Sequence, residues 1–219
     1  DDGPSLTAVT DAAGAYQFVG LAVERPYRVS VDPTTLPGGM VETYDVDGLA
    51  SVHVATVTIP LSAGPAGRSD VDFGYTGTGA IGDLVWFDRD ASGTAAADAG
   101  EPGLPGIPVT VTWAGVDGVL GTADDVAFHA TTDANGGYLI PDLPYGPYAV
   151  AVDTSSPAFP AGVVPTYDAD GVGSANTSSV TLSTATPQSL DQDFSYTGTA
   201  SIGDRIWLDQ NGDGGQDPG

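Results

Sequence analysis

The chain repeats itself, and this limits its possible folds more than any other feature. Asp72-Phe73-Gly74-Tyr75-Thr76-Gly77-Thr78 returns 121 residues later as Asp193-Phe194-Ser195-Tyr196-Thr197-Gly198-Thr199. Ile81-Gly82-Asp83-Leu84-Val85-Trp86-Phe87-Asp88 returns at the same offset as Ile202-Gly203-Asp204-Arg205-Ile206-Trp207-Leu208-Asp209. Thr43-Tyr44-Asp45-Val46-Asp47-Gly48 matches Thr166-Tyr167-Asp168-Ala169-Asp170-Gly171 at 123, and Thr10-Asp11-Ala12-Ala13-Gly14-Ala15-Tyr16 matches Thr132-Asp133-Ala134-Asn135-Gly136-Gly137-Tyr138 at 122. Four matches in one order at nearly one offset define a tandem repeat, with loops absorbing the drift of a residue or two. Residues 80–199 read as one complete repeat. Residues 1–79 read as the later part of a preceding repeat that lacks its opening strands, and 200–219 as the opening strand and loop of a third. The parent protein is therefore expected to be longer than this segment.

Within one repeat, alternating apolar positions mark strands. Leu84/Trp86 mark the first, Val109/Val111/Trp113 the second, Phe128 the third and Tyr138/Ile140 the fourth. Tyr148/Val150/Val152 mark the fifth, Val180/Leu182 the sixth and Phe194/Tyr196 the seventh. No segment sustains a 3.6-residue period, and 31 Gly with 17 Pro punctuate the chain too densely for helices. Seven short strands joined by turns predict an all-β sandwich repeated in tandem. Trp86 and Trp207 occupy equivalent strand positions, which favours core packing over ligand stacking.

Charge narrows the function. The net charge is −24, the five basic residues are all Arg, and there is no lysine. Phosphate backbones need clustered Lys/Arg, so nucleic acid is excluded as a partner, and an anionic membrane surface is disfavoured for the same reason. No apolar run is long enough to insert into a membrane. Without cysteine there is neither a disulfide nor a zinc–thiolate site, and without lysine there is no Lys–Asn isopeptide bond. A globule this acidic repels itself unless cations sit among its carboxylates.

Those carboxylates gather in loops. Asp209-Gln210-Asn211-Gly212-Asp213-Gly214-Gly215-Gln216-Asp217 places oxygen ligands at loop positions 1, 3, 5 and 9 (Asp209, Asn211, Asp213, Asp217), glycine at 6, and the Gly215 carbonyl at 7. This is the pattern with which an EF-hand-type loop collects hard oxygens around calcium. The equivalent loop of the complete repeat has Asp88, Asp90 and Ser92 at positions 1, 3 and 5 and Gly93 at 6. Its next acids, Asp98 and Glu101, come two residues late, which implies an insertion near Ala95-Ala96-Ala97. Asp117, Asp124 and Asp125 gather around glycines in another loop, and Asp168/Asp170 alternate like their counterparts Asp45/Asp47. For these two loops calcium and a plain solvated turn both stay open. Asp133 and Asn135 are expected only to shape a turn.

Catalytic signatures are missing. Gly77-Thr78-Gly79-Ala80-Ile81-Gly82 matches G-x-G-x-x-G but leads into a strand and opens no helix. His53 and His129 do not recur at matching positions, and there is no G-x-S-x-G. The chain reads as non-enzymatic.

Taken together, Ile-Gly-Asp-x-x-Trp-x-Asp with the loop after it, Gly106-Ile107-Pro108-Val109-Thr110-Val111, Thr132-Asp133-x-x-Gly136-x-Tyr138 and Leu143-x-x-Gly146-x-Tyr148-x-Val150 resemble the B-repeat of serine-aspartate repeat surface adhesins. That repeat is a relative of Cna-B and prealbumin-like domains. The resemblance implies a seven-stranded prealbumin-like (Ig-like) sandwich, calcium in the Asp-rich loop, and an extracellular or cell-surface role as a rigid spacer. Expected partners are neighbouring repeats of the same or another copy, and a host protein or glycan. Two alternatives accompany the spacer reading: an adhesive ligand-binding module, and a fibre subunit that donates its 201–209 strand to another copy.

Overall fold

The computed structural model describes residues 5–210 and 212–215. Its regular structure consists of strands and short 3-10 turns. In chain order the strands are β1 (Pro26–Ser30), β2 (Met40–Asp45), β3 (Val54–Thr58), β4 (Phe73–Gly77), β5 (Gly79–Phe87), β6 (Pro108–Trp113), β7 (Val126–Thr131), β8 (Gly137–Leu143), β9 (Gly146–Val152), β10 (Val163–Asp168), β11 (Thr177–Leu182), β12 (Gln188–Ser189) and β13 (Phe194–Gly198).

Residues 79–198 form a sandwich. One sheet has the order β10-β13-β5-β12, with β8 also paired to β5, and the other has the order β11-β9-β6-β7. Period-two alternation aims Val109, Val111 and Trp113 of β6 and Tyr148, Val150 and Val152 of β9 inward. They meet Ile81 and Val85 of β5, Ile140 of β8, and Phe194 and Tyr196 of β13 in one core. Each aliphatic side chain fully buried this way contributes about 1.5–3 kcal/mol. Trp86 is buried as well, with its ring tilted against Tyr167.

β5 holds the first sheet together by changing partners along its length. Its first half pairs antiparallel with β8 (Ile81↔Ile140, Leu84↔Gly137) and its last residues pair parallel with β13 (Val85↔Phe194, Phe87↔Tyr196). At the changeover, the Leu84 N–H donates to Asp193 Oδ1 at 2.9 Å. Gly82 faces the β8 backbone so closely that a Cβ would lie 2.3 Å from the Tyr138 carbonyl oxygen. The last glycine of the G-x-G-x-x-G match is thus a packing requirement.

All seven predicted strands are present, joined by β10 and the two-residue β12. Pro165 masks β10 in the sequence, because proline normally argues against a strand. The structure accommodates it on a sheet edge, at a register shift between Pro165 and Tyr167.

Residues 26–77 repeat half of this pattern. β1 pairs with β3 as β9 pairs with β11, and β2 pairs with β4 as β10 pairs with β13. The registers agree, with Met40↔Gly77 matching Val163↔Gly198, and the bulge recurs between Glu42 and Tyr44. Residues 202–208 match β5 in sequence but form no strand, and Ile202, Ile206 and Leu208 stand exposed. β5 itself is held by β8 and β13, and residues 200–210 pair with no strand.

Burial pushes the Asp193 carboxyl up to about 7; the Leu84 N–H opposes this, and like charge on Asp83 and Asp191 adds to it. An acid raised in the folded state holds its proton there longer than in the unfolded chain. Its stability contribution is full below the ordinary carboxylate value and is lost as pH rises through about 7. In chelator, Tm should therefore fall between pH 5 and 8. Asp193→Asn, which keeps an acceptor for Leu84, should flatten that fall and raise Tm at pH 8 by on the order of 5 °C. Scanning calorimetry across pH reads both effects.

Candidate metal centre

The Asp88 loop begins where β5 ends. The Asp88 N–H donates to the Tyr196 carbonyl at 2.9 Å, which ties the start of the loop to β13. Ala91 (φ 57°) and Gly93 (φ 63°) take left-handed conformations that turn the chain back on itself. Asp88 is 1% exposed. Its Oδ1 accepts from Ser92 N at 3.1 Å and its Oδ2 from Gly93 N at 3.0 Å. Burial acts to raise Asp88. Hydrogen bonds from the Thr166 hydroxyl and from the backbone of Gly93, Ser92 and Ala91 outweigh it and hold the carboxyl below its ordinary range.

The other acids close the loop. Glu101 Oε1 accepts from Arg89 N and Oε2 from Asp98 N, both at 2.8 Å. Asp90 Oδ1 accepts from Ser92 N at 3.0 Å, and Ser92 Oγ donates to Asp98 Oδ2 at 3.3 Å. One carboxylate oxygen from each of Asp88, Asp90 and Glu101 lies within 4.8 Å of the others. Among the described residues this is the only group of three or more potential metal-ligating side chains so placed. Three hard carboxylates brought this close suit a hard cation such as calcium better than a softer metal.

The purer loop, 209–217, is described only in part. Asp209 Oδ2 accepts from Gly214 N at 2.8 Å, the same position-1 to position-6 bond that Asp88 makes with Gly93. Asp213 Oδ1 accepts from Gly215 N at 2.7 Å, and the Gly215 carbonyl accepts from Trp207 Nε1 at 3.0 Å. Asn211 and Asp217 lie outside the described residues.

In the remaining acidic loops most carboxylates accept from backbone N–H groups. Asp124 Oδ2 accepts from Val116 N and Asp117 N, Asp117 Oδ1 from Val119 N, and Asp125 Oδ2 from Gly121 N. Asp170 Oδ2 accepts from Ser179 N, as Asp47 Oδ2 does from Thr56 N one repeat earlier. Asp168 is buried, and its Oδ2 has no hydrogen-bond partner, like Asp45 Oδ2. Asp133 Oδ1 accepts from Asn135 N and Gly137 N, closing the turn expected of it. His53 stands where the later repeat has Asn176. Both adopt positive φ, and both meet a β-strand tyrosine hydroxyl (Tyr75, Tyr196) at 2.9 Å.

The role of Thr166 and the Gly93–Thr166 approach were not visible in the sequence. A Cβ on Gly93 would lie 3.0 Å from the Thr166 carbonyl oxygen, so the loop leans on β10, the strand that Pro165 concealed. The choice of Glu101 over Asp98 as the third acid of the cluster was equally hidden, because it depends on how the inserted residues fold.

The family model for the SdrD B-like domain matches residues 79–196. The chain belongs to this family. SdrD B-like domains are non-enzymatic repeat domains of surface adhesin-type proteins, which places the chain outside the cell or at its wall. It is 33% identical over 224 residues to the serine-aspartate repeat-containing protein E of Staphylococcus aureus (strain MSSA476). It is 32% identical over 225 residues to the bone sialoprotein-binding protein of Staphylococcus aureus (strain MRSA252). Each alignment covers 99% of this chain and 18% of the relative, so the chain spans about a fifth of their length. Among solved structures, the plantain pollen allergen Pla l 1 (13% identity, TM-score 0.39) covers 57% of this chain and 97% of its own. The pilin SpaD of Corynebacterium diphtheriae (16% identity, TM-score 0.34) covers 60% of this chain and 34% of its own. No helix among the described residues is long and apolar enough to cross a membrane.

Asp88→Ala removes acceptors from the Ser92 and Gly93 N–H groups at a buried position. In chelator it should cost about 1–3 kcal/mol of unfolding free energy, read by urea titration. Asp117→Ala, on an exposed loop, should change stability by under ~0.5 kcal/mol in the same assay.

Proposed function

We propose that this SdrD B-like chain is a calcium-stabilised structural spacer: a run of stalk repeats in a large surface protein, with residues 80–199 as one complete unit. The observation that carries this reading is the convergence of Asp88, Asp90 and Glu101 at the end of β5. Asp88, Asp90, Ser92, Asp98 and Glu101 would hold calcium in the complete repeat, and Asp209, Asn211, Asp213, Gly215 and Asp217 in the next. Asp117/Asp124/Asp125 and Asp168/Asp170 are secondary candidates. Net charge supports the reading, because 29 acidic residues against five Arg leave the folded chain strained by self-repulsion that divalent cations relieve.

The physical effect is linkage. An ion that binds only the folded state stabilises it by RT ln(1 + [L]/Kd), about 2.7 kcal/mol at a hundredfold excess over Kd. That is a large share of an ordinary domain stability of roughly 5–15 kcal/mol. Placing the ion where β5, β10 and β13 meet ties the loop to the first sheet. A spacer needs no substrate cleft; it needs units that stay folded and keep their direction.

Thermal unfolding in millimolar calcium should give a Tm well above that in excess chelator, recovered by adding calcium back. Magnesium at equal concentration should restore little, since it is smaller, prefers strict octahedral geometry and gives up its water reluctantly. Glu101→Gln should remove most of the calcium response; because it also takes the acceptor from either Arg89 N or Asp98 N, its chelator Tm should fall slightly. Equal melting curves in calcium and chelator would overturn the proposal.

A further inference from the structure

The chain passes from one repeat to the next through Gly77-Thr78-Gly79, with no linker between β4 and β5. Across this passage the turn between β8 and β9, Leu143-Pro144-Tyr145-Gly146, reaches back to the preceding repeat. The Tyr145 N–H donates to the Gly38 carbonyl at 2.7 Å. Thr78 Oγ1 donates to the Gly39 carbonyl at 3.0 Å and lies 3.2 Å from the Tyr145 hydroxyl. The Tyr145 side chain packs against the glycine pair: a Cβ added to Gly39 would come within 2.6 Å of its ring, and one on Gly38 within 3.4 Å. Gly77 is equally constrained, since a Cβ there would lie 2.1 Å from the Leu143 carbonyl carbon.

The receiving half of this contact recurs at the far end of the next repeat. Gly162 matches Gly39, with the same φ of 73°. Thr199 matches Thr78 and donates to the Gly162 carbonyl through both its N–H (2.9 Å) and its hydroxyl (3.0 Å). Gly198 matches Gly77. Gly77 is buried and Gly39 half-buried, whereas Gly198 and Gly162 are exposed. A Cβ on Gly198 meets only the Phe87 ring, at an ordinary 3.5 Å, and its φ is not positive. Its own repeat gives no reason for glycine at 198. The crowding seen at Gly77 gives one: the backbone of a following repeat.

We infer that Gly162, Gly198 and Thr199 form a docking socket for the β8–β9 turn of a further repeat of this kind, and that the Tyr145 contact on Gly39, Gly77 and Thr78 is the same joint already closed. The joint sets the direction of one repeat on the next. It is separate from the calcium reading: Tyr145 lies at the start of β5, and the Asp88 cluster follows its other end, nine residues on.

The chain has no cysteine, so spin labels can be placed uniquely. Thr56→Cys and Ser179→Cys put equivalent exposed labels on the two repeats. Pulsed electron spin resonance should give one narrow distance distribution for the parent chain. Tyr145→Ala and Gly39→Ala, which attack the joint from opposite sides, should each broaden it several-fold, while Tyr145→Phe should keep it narrow. The melting of repeat 80–199 serves as the folding control. In a chain with residues 80–199 duplicated after Thr199, Gly198→Ala should loosen the second joint, and in the present chain it should leave Tm unchanged. Distributions unaltered by both Tyr145→Ala and Gly39→Ala would overturn the inference. So would a joint that loosens on chelation while both repeats stay folded, which would make the metal rather than the turn its source.

Discussion

The sandwich of residues 79–198 depends on one strand, β5, which pairs with β8, with β13 and, through two residues, with β12. β5 pairs antiparallel with β8 in its first half and parallel with β13 in its last residues. Neither neighbour reaches the whole strand, so the first sheet exists only while β5 lies between them. The Asp193 carboxylate marks the changeover by accepting from Leu84 N. The acidic loop after β5 inherits its position from the same arrangement, since Asp88 is anchored to β13 through Tyr196. Residues 202–208 show the converse. Their sequence is that of β5, yet without such neighbours they form no strand. Strand character here belongs to the pairing rather than to local preference.

Much of this was legible in the sequence because the repeat supplies its own comparison. Matched segments at a near-constant offset separate residues that hold the unit together from residues that merely fill it. Trp86, Tyr138, Tyr148 and Phe194 fall on the apolar alternation and all are buried. The Asp88 loop was found by ligand spacing, and three of its acids do come together. Three features were not legible. β10 was hidden by Pro165, which a sheet edge and a bulge tolerate. The contact of the loop with Thr166 joins residues far apart in the chain. The selection of Glu101 follows from the path of inserted residues that no spacing rule covers.

Comparing the acidic loops shows why acid content alone is a poor guide to ligands. Asp124 and Asp125 spend their oxygens on backbone N–H groups of their own loop, as turn-forming carboxylates do, and Asp170 accepts from Ser179 N on β11. Asp88 and Glu101 do this too, yet one carboxylate oxygen of each also lies within 4.8 Å of one on Asp90. What distinguishes the site is convergence from separated positions, which only the fold provides.

The parallel pairing of β5 with β13 has a mechanical consequence. The chain enters the repeat at the start of β5 and leaves it at the end of β13, so the two attachment points lie at opposite ends of adjacent, co-directional strands. Tension applied between these two points would pull the strands past one another. The hydrogen bonds between them are then loaded together in shear and do not open one at a time like a zip. The loop that carries Asp88, Asp90 and Glu101 sits on that line of force, and an ion held there would be a clasp across the very strands that a pull tries to slide apart.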